Sequence, residues 1–172
     1  MTPFFVGAVL GSLTAVVPLW LVSGLTHPIP SDVRGSMLMI VALLTLLRDW
    51  EILRFRLPEN RRQVPQTVFA KGRSRAALQF GFEMGTGVRT YVTATSPYLL
   101  ASYLLLTSPS MVVALTAGVG FGFARGILPI MRSLAPDSRE WDIALDRWSR
   151  HLVRACGVMA CAIAVVLGAR LL

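Results

Sequence analysis

A chain of 172 residues that is 54% hydrophobic and only 15% charged is far more apolar than a soluble domain. The composition excludes a water-soluble globular protein and predicts an all-α, polytopic transmembrane helix bundle of about five spans, because each span takes about 20 residues. The net charge of +8 comes from arginines set between apolar segments rather than along one soluble face. That placement excludes a nucleic-acid partner, makes the lipid bilayer the expected surroundings, and leaves residues 1–172 as a single transmembrane domain.

The first apolar segment covers residues 4 to 25 and carries no charge. It lacks a basic start and a small-residue cleavage site, so it reads as a retained span. The sequence THPIPSD then marks a turn and a helix cap, and a second segment runs from about Val33 to Phe55. Its last turns hold Arg48, Asp49, Glu51 and Arg54, which fits a helix end leaving the bilayer among charges. The connection that follows carries Arg54, Arg56, Arg61, Arg62, Lys71, Arg73 and Arg75, and is predicted to be cytoplasmic.

A third segment stays largely apolar from Arg75 to Leu106, too long for one upright span, so something must break or bend it. The turn TSPS leads to a fourth segment, Met111 to Met131. The link RSLAPDSREWDIALDRWSRH reads as an amphipathic helix on the cytoplasmic surface, with Asp137 as its cap, Glu140 three residues on, and Trp141, Leu145, Trp148 and Leu152 along one face. A fifth segment runs from about Leu152 to Leu171. The arginine distribution predicts a cytoplasmic N-terminus, an outer C-terminus and a bacterial inner membrane as the location.

Small residues recur every fourth position: Gly7 and Gly11, Gly81 and Gly85, Gly118, Gly122 and Gly126, and Cys156, Ala160, Ala164 and Gly168. Such faces let helix backbones approach closely in lipid, which accounts for GVGFGFARG without a phosphate loop. VVPLWLVSGLTHP can be laid beside TSPYLLASYLLLTSP, and RLPENRR beside LAPDSRE, so residues 1–65 and 75–140 form a possible pseudo-repeat with kinked helices at Pro18 and Pro97.

GSLTAVVPLWLVSGL and GVRTYVTATSPYLLASYLLL resemble the two proline-bearing helices of the transmembrane thiol carriers of the DsbD/CcdA type, which are related in architecture to LysE-type exporters. The resemblance implies two pseudo-repeated halves with a kinked helix in each, facing a central cavity. The redox cysteines of that family sit beside those prolines. Here Val17 precedes Pro18 and Tyr98 follows Pro97, so electron transfer is not carried over.

The stretch GFEMGTGVRTYVTATSPY concentrates polarity in an apolar run. On a continuous helix Glu83 and Arg89 point about 120° apart, and they could pair only if GTG at residues 85 to 87 unwinds. Pro97 would free the carbonyl of Thr93 in such a helix. One reading makes Glu83, Arg89, Thr90, Thr93, Thr95, Ser96 and Pro97, facing Pro18, a midplane site for an anionic or zwitterionic solute. The alternative starts the span at Val88, leaving Arg89 to snorkel, Glu83 in water, and the hydroxyls bonded to their own helix.

Cys156 and Cys161 diverge on a helix, and His27 and His151 fall at surface positions, so no metal, disulfide or cofactor is expected. No Ser/His/Asp or paired-carboxylate set can be assembled, so the chain is not expected to be an enzyme. A carrier or exporter is one functional reading; the other is a non-catalytic accessory or scaffold subunit of a larger membrane complex. A homo-oligomer is compatible with the first.

Overall fold

The computed structural model describes residues 2–55, 72–87 and 94–172, and all regular structure among them is helical. In chain order the helices are α1 (Thr2–Ser23), which passes into a 3-10 turn (Gly24–Thr26), α2 (Ser31–Asp49), α3 (Arg73–Thr86), α4 (Ser96–Thr107), α5 (Met111–Leu134) and α6 (Ser138–Ala169). Three are long and apolar enough to cross a membrane: α1 with its 3-10 turn, α5 and α6.

The five spans expected from the sequence divide differently. Helix α2 has 19 residues, about 28 Å of rise, but carries Asp32 and Arg34 at one end and Arg48 and Asp49 at the other. The apolar run from Arg75 to Leu106 is two helices rather than one. At 14 and 12 residues, α3 and α4 rise about 21 and 18 Å, each short of the roughly 30 Å of a hydrocarbon core. Helix α3 stops at Gly87, whose φ of 68° is a left-handed conformation that glycine adopts without steric cost.

The expected surface helix and fifth segment are one element. Helix α6 runs for 32 residues, about 48 Å, because DRWSRHLVRAC holds neither proline nor glycine to end it. Its start is capped by the Asp137 carboxylate, which accepts the N–H groups of Arg139 (2.7 Å) and Glu140 (3.3 Å). Helices α1 and α5 continue through Pro18 and Pro129.

The helices gather into two compact units. The first comprises Met1–Val17, Pro58–Val92 and Val112–Asp146. It is packed backbone on backbone. Gly7 and Gly11 of α1 lie against the carbonyl oxygens of Leu78 and Phe82 of α3, and Gly81 and Gly85 of α3 lie against those of Phe4 and Ala8 of α1. A side chain at any of the four would overlap main-chain atoms, so the glycines are what permits the approach. Helix α5 buries Ala114, Gly118, Gly122 and Gly126 on one face. A Cβ on Gly122 would come within 2.8 Å of the Ala8 carbonyl and the Val9 Cα, whereas Gly120 faces open space. Between them the fully buried Ser12 hydroxyl reaches the Gly118 carbonyl at 2.7 Å. Phe5 and Phe123 meet edge to face at 5.2 Å.

The second unit comprises Pro18–Leu57, Thr93–Met111 and Arg147–Leu172. Its buried stripe on α2, Gly35, Leu38, Ala42, Thr45 and Asp49, repeats at alternating spacings of three and four, as a helix packed along one seam requires. Leu38 and Ala42 form a core with Leu99 and Leu106 of α4 and Ala164 of α6. At the C-terminal end of α4, Arg34 donates to the Leu106 carbonyl at 3.3 Å, Ser108 donates to the Ser23 carbonyl at 2.7 Å, and Trp20 Nε1 donates to the Pro109 carbonyl at 2.8 Å. Helices α2 and α4 therefore run antiparallel.

Candidate functional site

In the second unit, α4 begins on a buried acid. Thr95 is the residue at its N-terminal boundary, and its N–H lies 3.2 and 3.3 Å from the two carboxylate oxygens of Asp49. Its Oγ1 lies 2.7 Å from Asp49 Oδ2 and 3.2 Å from the Thr45 carbonyl, so the shorter contact to the acid takes the single hydroxyl proton. The Asp49 side chain is fully buried, with Arg48 Nη1 3.6 Å from Oδ1. On the remaining side Gly157 of α6 clears the space, since a Cβ there would stand 3.1 Å from Oδ2. An isolated buried carboxylate is costly; two donors, a guanidinium and the positive end of α4 offset that cost here.

In the first unit, α3 ends beside a half-buried cation. Arg125 of α5 donates from Nε at 3.2 Å to the Met84 carbonyl, in the last turn of α3, which also accepts the N–H of the capping Gly87 at 3.4 Å. A cation at a helix C-terminus is favoured by the macrodipole, as an anion is at the N-terminus. Glu83 is buried in the same unit, 3.4 Å from Gln79 Nε2. The interrupted run is thus met by an arginine where α3 stops and by an aspartate where α4 starts.

Beside Asp49 the second unit opens into a cavity of about 240 Å³ lined by Arg48, Asp49, Glu51, Ser149, Arg150 and Val153. Arg154 lies over the Trp50 ring at 5.8 Å and 3.9 Å from Glu51. Comparison with protein-family models, curated proteins and solved structures finds no match for this chain.

Of the residues expected to form it, Thr95, Ser96 and Pro97 open α4, and Pro18 lies on α1 in the same unit. Glu83 belongs to the first unit. Arg89, Thr90 and Thr93 lie outside the described residues. Pro97 was expected to interrupt a continuous ladder; it stands instead in the first turn of α4, where its missing N–H would have had no helical partner. Gly118, Gly122 and Gly126 form the α5 face described above. Among the described residues, no group of three metal-ligating side chains comes together, and both cysteines are free.

Asp49 and Arg125 were not singled out from the sequence. Asp49 was grouped with the charges of a helix leaving the bilayer, yet it alone of that group continues the three-and-four stripe from Gly35 to Thr45. Arg125 is the one charged residue between Met111 and Met131, which was the available signal.

Proposed function

We propose that the chain is a small integral membrane carrier or exporter of an anionic or zwitterionic solute, crossing a bacterial inner membrane with its N-terminus in the cytoplasm. The observation that supports this reading is the interrupted apolar run whose two helix ends each meet a charge of the sign the helix dipole favours, Asp49 buried and Arg125 half-buried. Breaking a helix in lipid exposes backbone groups at several kcal/mol each unless protein or a solute satisfies them. Carriers use such breaks because a half-helix N-terminus can bind an anionic group. In the second unit the Asp49 carboxylate occupies that position, so an anionic solute group would compete with it for the N–H and hydroxyl of Thr95.

Purified protein in sealed vesicles should take up labelled phosphate, glutamate or glycine above protein-free vesicles, with saturation. Uptake of none of the three, together with a stoichiometric membrane partner on co-purification, would favour the accessory-subunit reading. That second reading is supported by the first half of α6, where Ile143 and Trp148 are 54% and 59% exposed among arginines. Orientation can be checked at the turn between α4 and α5. A membrane-impermeant maleimide should label Ser110→Cys in intact cells, and labelling only after permeabilisation would reverse the topology.

A further inference from the structure

We infer that the second unit holds one anionic phospholipid, its phosphate on the arginines beside Asp49 and one acyl chain seated between α4 and α6. Two cavities meet at the end of α2: the one lined by Arg150 and Ser149, and another of about 520 Å³ lined by Arg54, Leu53 and Phe55; Arg48 and Glu51 line both. With Arg154 beside Glu51, four arginines face two carboxylates, Asp49 and Glu51, and the Asp49 carboxylate is already engaged by Thr95. The local charge is therefore +4 − 2 = +2, which suits a phosphodiester. Arg150 makes no hydrogen bond or ion pair among the described residues, and Arg154 Nε is a buried donor with no partner among them.

A separate apolar groove lies further along α6. This groove, of about 250 Å³ between α4 and α6, is lined by Leu100, Tyr103, Ile163 and Leu167, with Ser96 at its α4 end and Ala160 at its α6 end. Ser149, Val153, Gly157, Ala160, Ala164 and Leu167 fall within about 80° on one face of α6, so headgroup cavity, Asp49 and groove follow one another along a single stripe. From Val153 to Leu167 the helix rises about 21 Å, while one leaflet of hydrocarbon is about 15 Å deep. That length takes a headgroup and one chain. A soluble anion would use the arginines and leave the groove unused; an apolar molecule would do the reverse.

Native mass spectrometry of the full chain released from detergent, with added lipid, tests this directly. Phosphatidylglycerol should be retained one per chain in preference to phosphatidylcholine by roughly fivefold or more, the effect of one basic side chain near the membrane surface. Glycerol 3-phosphate, the headgroup chemistry without chains, should not displace it at equal concentration. Arg150→Gln, an exposed position, should remove most of the preference. Ile163→Trp, more than half exposed in the groove, should lower retention of both lipids without lowering the melting temperature of lipid-free protein. Equal retention of the two lipids, displacement by glycerol 3-phosphate, or an unchanged preference in Arg150→Gln would overturn the inference.

Discussion

Two helix pairs, α1 with α3 in the first unit and α2 with α4 in the second, are held by opposite means. In the first, α1 and α3 touch through bare backbone at Gly7, Gly11, Gly81 and Gly85. In the second, α2 grips α4 by charged side chains at both ends, Arg34 at its last carbonyls and Asp49 at its first N–H. Glycine packing gains dispersion and weak Cα–H contacts over many atoms and tolerates little displacement. A charge at a helix end can exchange one partner for another. The first arrangement suits a fixed frame, and the second suits a place where a solute or lipid group substitutes for a side chain.

The largest break in this contrast should come from the frame. Gly85→Leu puts a side chain onto the Ala8 carbonyl, and the loss should exceed about 3 kcal/mol, the upper part of the usual range for overpacking. The expected readout is loss of the monodisperse fraction in detergent. Next comes Asp49→Ala, which strips the N–H and hydroxyl of Thr95 of their acceptor and should cost about 3 kcal/mol. Thermal melting should show a clear downward shift with the protein still folded. Asp49→Asn retains an acceptor oxygen and should cost about 1 kcal/mol. Smallest is Gly120→Leu, which meets nothing within 4 Å and should leave stability within about 0.5 kcal/mol of the parent. A large loss at Gly120 would mean that α5 packs through a different face.

The all-helical framework was legible because apolar length is a strong signal. The glycine spacings were visible too, since a four-residue repeat is a property of sequence alone. The end of α3 was harder. GTG at 85 to 87 allowed unwinding, but only the left-handed φ of Gly87 shows where the helix stops. Continuity of α6 was missed because its charged first half and apolar second half suggest two environments, although no residue between them ends a helix. Asp49 was illegible for a physical reason: four charges close together resemble a helix end in water. Whether one of them turns inward depends on Thr95, which is 46 residues away.

Uptake by Asp49→Asn in sealed vesicles bears most directly on the central claim, that the charge at the start of α4 serves solute movement rather than only the fold. For whichever of phosphate, glutamate and glycine the unaltered protein carries, this variant should keep its monodisperse, helical state, bind the solute more tightly and turn over roughly tenfold or more slowly, because the carboxylate that displaces the solute from Thr95 has lost its charge. Uptake at the parental rate in Asp49→Asn would contradict the claim and reduce Asp49 to a cap on α4.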